Sequence, residues 1–249
     1  MDLELNGKVA LVTGSSHGIG KAIAAVLASE GCHVVVNGRD ADRVNKAATE
    51  LGATPVAGDV STRVGAAAVL EQAVAARGQI DIVVCNVGSG ASVPPGQEEE
   101  AEWHRMLQIN LMSATNTVAA ARPYLGAHGG VILCISSICG SAALGAPVAY
   151  SAAKAALDSF VRGAARYLAQ EDIRINALVP GNVLFEGSTW ERKLAADPDQ
   201  VAAMLKREVA MGRLGTSREV ADMAAFLCSA KAGFATGALF VLDGGQLRG

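Results

Sequence analysis

The 249-residue sequence predicts an α/β fold: one doubly wound parallel sheet of about seven strands with helices on both faces. Three observations predict it. Short β-branched runs alternate with longer Ala-rich segments of helical period. Nearly all of the short runs are apolar at every position, as strands buried on both faces must be. No linker, internal repeat or low-complexity stretch breaks the alternation.

In chain order, Lys8–Thr13 is the first strand, followed by a glycine-rich turn and a helix over Gly18–Glu30. His33–Asn37 is the second strand and Ala41–Leu51 its helix; a weaker run at Thr54–Ala57 completes the set on this side, ahead of a helix over Thr62–Arg77. Ile80–Cys85 is the fourth strand, then one long helix over Glu99–Leu125, a strand over Val131–Ser136, and a second long helix over Pro147–Gln170. Ile173–Val179, the helix Ser217–Ser229 and the strand Ala238–Leu242 finish the pattern. Strand-helix-strand alternation implies right-handed crossovers, so the architecture expected is Rossmann-like. Residues 1–249 are expected to form one domain. A polar, partly helical insertion at about residues 184–210 interrupts the pattern where a segment covering a substrate site would sit.

Composition excludes several functions. Half of the residues are hydrophobic and the net charge of -3 is spread among interspersed acids and bases, so no basic stripe exists to neutralise a phosphate backbone. Nucleic-acid binding is not expected; a small molecule or a second copy of the chain is. Five cysteines, Cys32, Cys85, Cys134, Cys139 and Cys228, contain no C-x-x-C and sit in apolar stretches, the pattern of reduced core thiols rather than a metal site or disulfide. The opening Met1-Asp2-Leu3-Glu4 lacks a basic region and an apolar run, and no segment approaches 18 uninterrupted apolar residues, so a cytoplasmic protein without membrane association is expected.

Two constellations carry chemistry. At the first strand-to-helix junction, Thr13-Gly14-Ser15-Ser16-His17-Gly18-Ile19-Gly20 places glycines where the backbone turns tightly toward a helix N-terminus, the arrangement that receives a pyrophosphate. Its spacing, G-x-x-x-G-x-G, differs from G-x-G-x-x-G. Further along, Tyr150 and Lys154 lie four apart on one helix face, so the ammonium can reach the phenol and favour its ionised form. Ser137, thirteen residues earlier, stands at the carboxyl end of a core strand, where ligand sites of open sheets gather.

With these residues in that order, the sequence resembles the short-chain dehydrogenase/reductase family, in its branch of about 250 residues, and is similar there to 3-oxoacyl carrier-protein reductases. The resemblance spans essentially the whole chain: the turn Thr13–Gly20, the adenine-side pair Asp59-Val60, Asn110, the strand end Ile135-Ser136-Ser137, the pair Tyr150/Lys154, Pro180-Gly181, and Asp243-Gly244-Gly245 near the C-terminus. It implies an oxidoreductase moving a hydride between a nicotinamide cofactor and a carbonyl/alcohol pair. Tyr150 would be the general acid or base and Ser137 would hold the substrate oxygen. Lys154 would lower the Tyr150 pKa and bind the nicotinamide ribose, and Asn110 would hold a water linking Lys154 to solvent. The cofactor would be held by Gly14, Ser16, His17, Gly18, Ile19, Gly20, Asp59, Val60, Asn86, Gly88, Pro180, Gly181 and Val183, besides Tyr150 and Lys154.

Where the family has Asn-Asn-Ala-Gly after the fourth strand, this chain has Cys85-Asn86-Val87-Gly88; where it places a threonine four residues after Pro-Gly, this chain has Phe185. Cofactor choice turns on Asn37-Gly38-Arg39 at the end of the second strand. An NAD-selective site places a carboxylate there, whereas Gly38 cannot repel a 2′-phosphate and Arg39, with His17 near it, can bond one. NADP(H) is therefore expected ahead of NAD(H). Val93, Leu144, Phe185 and Trp190 are expected to line the substrate pocket beside Ser137 and Tyr150, which suits an apolar or mixed substrate without choosing between acyl thioester, sugar or polyol, steroid and xenobiotic ketone. A catalytically silent nucleotide-sensing protein is the alternative, opposed by the intact Asn110, Ser137, Tyr150 and Lys154. The resemblance and the Ala-rich helices Glu99–Leu125 and Pro147–Gln170 imply a homotetramer.

Overall fold

The computed structural model describes residues 1–126 and 129–248. Seven parallel strands form one sheet in the order β3-β2-β1-β4-β5-β6-β9: β1 (Val9–Val12), β2 (His33–Gly38), β3 (Thr54–Ala57), β4 (Ile82–Cys85), β5 (Gly130–Ile135), β6 (Ile173–Pro180) and β9 (Leu239–Leu242). The two intervening strands, β7 (Val183–Leu184) and β8 (Gly215–Thr216), pair only with each other.

Alternate residues of each strand point to opposite faces, and both faces are apolar, so the sheet carries two cores. Val9 and Leu11 of β1 pack with α3 (Arg63–Arg77), α5 (Ser113–Leu125) and α6 (Val148–Ala169). Ala10 and Val12 of the same strand pack with α1 (Gly18–Ser29), α2 (Ala41–Leu51) and α9 (Ser217–Cys228). Local signals set the helix ends. Asp40 accepts from the Arg43 N–H at the start of α2, Gly52 closes α2 in the left-handed conformation, and Thr216 with Glu219 forms a reciprocal capping box on α9.

Sequence reading and structure differ at three places. The single helix expected over Glu99–Leu125 is two, α4 (Glu100–Leu107) and α5, joined by a π-helical turn at Gln108–Met112. The insertion is a pair of short helices, α7 (Thr189–Ala196) and α8 (Pro198–Glu208), with a small apolar cluster of their own around Val201, Leu205 and Trp190. The β7–β8 pairing that ties this insertion to the start of α9 has no counterpart in the sequence reading.

The chain runs outward from β1 to β3 and then returns to the other side of β1 to place β4. A crevice opens at that reversal, outside the carboxyl ends of β1 and β4, and it positions the site.

Candidate active site

The β1–α1 turn is stitched to both neighbouring strands. Thr13 donates through N and Oγ1 to the Val84 carbonyl and accepts from the Asn86 N–H, while Asn86 Nδ2 donates to the carbonyls of Thr13 (3.1 Å) and Gly14 (3.0 Å). On the other side the Ser15 N–H donates to the Asn37 carbonyl, and Ser15 Oγ accepts from the Asn37 N–H. Gly20 is required by close approach: a Cβ there would lie 2.4 Å from Asn86 Nδ2 and 2.5 Å from the Gly14 carbonyl oxygen. His17 occupies the N-cap of α1 without a side-chain capping bond, so the first-turn N–H groups face the crevice uncapped by side chains, as an anion site requires.

A cavity of about 480 Å³ follows this turn along the carboxyl ends of the strands. The expected cofactor residues Gly14, Ser16, His17, Gly18, Ile19, Gly20, Arg39, Asp59, Val60, Asn86, Gly88, Tyr150 and Lys154 all line it. A cavity with an open helix N-terminus and a glycine-lined floor at the carboxyl ends of these strands fits a dinucleotide. At its far end Asp59 Oδ1 accepts from the Ser61 N–H, and Asn37 Nδ2 donates to the carbonyls of Val56 and Gly58, which fixes the ends of β2 and β3. Arg39 is exposed and has no ion pair or hydrogen bond among the described residues, whereas its neighbour Asp40 is held by Arg43 at 3.2 Å. Ser16 Oγ and His17 Nδ1 lie 3.3 Å apart beside it.

The chemical end of the cavity is built by β5, α6 and the π-helical turn. Ser137 follows β5 in extended backbone, and its Oγ accepts from the Cys139 N–H at 3.2 Å. Tyr150 and Lys154 are one turn apart on α6. Lys154 is buried, donates from Nζ to the Ile135 carbonyl at 2.9 Å, and sits 5.9 Å from the Tyr150 ring centroid. Asn110 is fully buried in the π-helical turn, where its Oδ1 accepts from the Ser89 N–H at 2.9 Å and its Nδ2 donates to the carbonyls of Ser89 and Met106. Gly88 lies between Asn110 and Lys154: a Cβ there would stand 2.9 Å from Asn110 Oδ1 and 3.1 Å from Lys154 Nζ. The structure therefore brings Asn110, Ser137, Tyr150 and Lys154 into one corner.

The expected electrostatics of the pair need correction. Burial pushes the Tyr150 hydroxyl up to about 12, with the Ser137 hydroxyl pulling it back through a hydrogen bond, and burial brings Lys154 down to about 8. Desolvation is the largest influence on the phenol, and the Lys154 ammonium is turned to the Ile135 carbonyl.

A second cavity of about 530 Å³ meets the first at Tyr150. Ser137, Leu144, Phe185 and Trp190 line it as expected; Lys193 lies over the Trp190 ring at 4.5 Å, and Gln246 joins from the C-terminal segment. Val93 lines neither cavity, because Ser92 and Arg105 tie its segment to Glu102 of α4. Of the cofactor set, Gly181 and Val183 face this second cavity instead of the first, and Pro180 ends β6 buried against β9, lining neither. Phe185 packs over the glycine turn, its Cε2 2.9 Å from where a Gly18 Cβ would be, so the position that holds threonine in the family becomes an apolar partition between the cavities. Sequence reasoning missed Arg105 and Ile109 in the first cavity and Gln246 in the second. No motif announces them; each arrives through tertiary packing.

All five cysteines are free, none of the described residues forms a cluster of three or more His, Cys, Asp or Glu suited to a metal ion, and no described helix is long and apolar enough to cross a membrane.

A family model described as enoyl-(acyl carrier protein) reductase matches residues 14–246. Among similar proteins, cis-4-hydroxycyclohexanecarboxylate dehydrogenase of Sinomonas cyclohexanicum is 36% identical, with 96% of each chain covered. The 3-oxoacyl-[acyl-carrier-protein] reductase of Escherichia coli is 32% identical over 98% of this chain and 99% of its own. L-sorbose reductase of Gluconobacter frateurii, solved with NADPH and L-sorbose, superposes with a TM-score of 0.93 at 31% identity and covers 100% of both chains.

Proposed function

The chain belongs to the short-chain dehydrogenase/reductase family and is an NAD(P)-dependent oxidoreductase, and from that premise we propose that it exchanges a hydride between NADP(H), in preference to NAD(H), and a carbonyl/alcohol pair of a small organic substrate. The observation that carries the reading is the position of Tyr150, which lines both cavities with Ser137 and Lys154 beside it. When bound, the nicotinamide supplies the hydride for reduction or takes it up in oxidation. In reduction Tyr150 passes its phenolic proton to the carbonyl oxygen, while Ser137 donates a hydrogen bond to that same oxygen. In oxidation the phenolate removes the proton of the alcohol. Lys154 orients the ribose, and Asn110 acts as a positioning residue that holds the Ser89 loop beside Lys154.

Arg39 supports the preference for NADP(H): among the described residues it is the exposed cation at the end of β2 that no carboxylate pairs with, and Gly38 brings no negative charge to the adjacent space. Intact acid, oxygen holder and lysine disfavour a silent nucleotide sensor. We place the protein as a cytoplasmic homotetramer acting within one domain.

The experiment is to supply NADPH carrying deuterium at the transferable position, together with ketones of the sugar, steroid, alicyclic and acyl-thioester classes, and to analyse the products by mass spectrometry. One deuterium on the carbinol carbon of a product is expected. Ketone consumption without deuterium in the product would overturn the reading.

A further inference from the structure

The charged groups around the second cavity do not balance. Lys193, Arg207 and Glu208 line it together with Ser137 and Tyr150. Glu208 is the one carboxylate among the lining residues, and its Oε1 accepts from Arg207 Nε at 2.6 Å, so those two charges offset each other. Lys193 forms no ion pair among the described residues. The carboxylates on either side of it in the chain are engaged with backbone: Glu191 accepts from the Gly187 N–H, and Asp197 accepts from the Gln200 N–H at the start of α8. One positive charge is left over, in a chain whose net charge is -3.

That charge is placed at the cavity. Lys193 stands one turn after Trp190 on α7, its ammonium 4.5 Å from the indole centroid, and both residues line the wall. The ring face attracts the cation and holds it along the cavity side of the helix. Arg192, the next cation on α7, bonds Thr189 Oγ1 and does not line the cavity. Lys193 is exposed as well as lining, so it stands at the mouth. Neither Lys193 nor Arg207 lines the first cavity, so the dinucleotide groove does not account for the unpaired ammonium. Leu144, Phe185, Trp190 and Met204 form part of the same wall, and apolar surface of this kind screens a charge less than bulk water does.

We infer that Lys193 binds a carboxylate that the substrate carries in addition to the oxygen that reacts at Tyr150. The substrate class is accordingly oxo acids and the hydroxy acids they become on reduction. A single uncompensated ammonium matches a monoanion, whereas a phosphate dianion would bring a second negative charge to a wall with no cation left for it. This inference rests on the hydride-transfer reading above. The carboxylate keeps its charge through the reaction, so the ammonium holds ground state and transition state alike, and its loss falls on KM rather than on kcat.

The test measures kcat and KM with NADPH at low ionic strength for 4-oxopentanoate, 6-oxoheptanoate and 4-oxocyclohexanecarboxylate, each beside its neutral carboxamide, in the wild type, Lys193→Met and Lys193→Arg. Each pair shares a skeleton and differs in charge; methionine keeps the length and removes the cation, and arginine keeps the cation. In the wild type at least one oxo acid is expected to exceed its amide in kcat/KM by about ten-fold or more, the worth of a hydrogen bond between charged groups. That ratio is expected to fall toward one in Lys193→Met, through KM, and to be retained in Lys193→Arg. A wild-type ratio of one or less for all three pairs, a ratio that persists in Lys193→Met, or one lost equally in Lys193→Arg overturns the inference while leaving hydride transfer intact. Turnover of none of the six ketones by the wild type counts against the hydride-transfer reading itself, and the inference falls with it.

Discussion

Arg39 and Asp40 are adjacent and both exposed, yet only Asp40 is committed: it caps α2 and pairs with Arg43, which leaves the Arg39 charge available to the crevice. If Arg39 bonds the 2′-phosphate, Arg39→Ala weakens NADPH binding by about 1.5–3 kcal/mol, the worth of a hydrogen bond to a charged group, and hardly alters NADH binding. Gly38→Asp goes further, because it adds an acceptor for a ribose hydroxyl and a charge that repels phosphate. The space permits the substitution with a small adjustment, since a Cβ at position 38 lies 3.1 Å from Val44 Cγ2. Dissociation constants for both cofactors in wild type and the two variants check this; equal weakening of NADPH and NADH by Arg39→Ala would return Arg39 to a surface role. The convergence of Ser137, Tyr150 and Lys154 was legible at this scale because each stands in a motif of fixed spacing. The ionisation of Tyr150 was not, because spacing gives proximity to Lys154 but not the desolvation that pushes the phenol up to about 12.

Among elements, the π-helical turn at Gln108–Met112 is where sequence and structure part most usefully. Apolar periodicity runs through it without a break, and only the tertiary bonds of Asn110 to Ser89 and Met106 give the extra residue a purpose, in keeping with the frequency of such turns at functional sites. Asn110→Ala strands the partly buried Ser89 N–H and carbonyl and is expected to cost about 1–3 kcal/mol, a fall in melting temperature of about 2–12 °C for a chain of this size. Thermal unfolding of the variant checks it, and an unchanged midpoint would show that Asn110 does not hold the loop. The insertion was legible as an interruption, but not as two helices tethered by β7–β8, because two-residue strands carry no periodic signal. Gln246 was illegible for a related reason: its place depends on the Asp243-pinned turn meeting the end of α8.

For the molecule as a whole, the two-faced sheet buries its central strands, such as β1 and β4, and leaves the edge strands β3 and β9 partly exposed. Met112, Val148 and Tyr167 are exposed along the outer faces of the π-helical turn and α6, and Val241 and Phe234 are exposed around the edge strand β9. Exposed apolar side chains in two regions of the surface suit an assembly with two kinds of contact, so light scattering is expected to give the mass of a tetramer, and a stable monomer would contradict that assembly. The same architecture brings the dinucleotide groove and the second cavity together at Tyr150, with Ile19, Gly90 and Phe185 also lining both. The most direct measurement is kcat for Tyr150→Phe beside its cofactor dissociation constant. The ring and its packing stay while the transferable proton goes, so kcat is expected to fall by well over ten-fold, more than 1.4 kcal/mol of transition-state stabilisation, with cofactor affinity nearly unchanged. A variant that keeps more than about a tenth of the wild-type kcat would contradict Tyr150 as the acid.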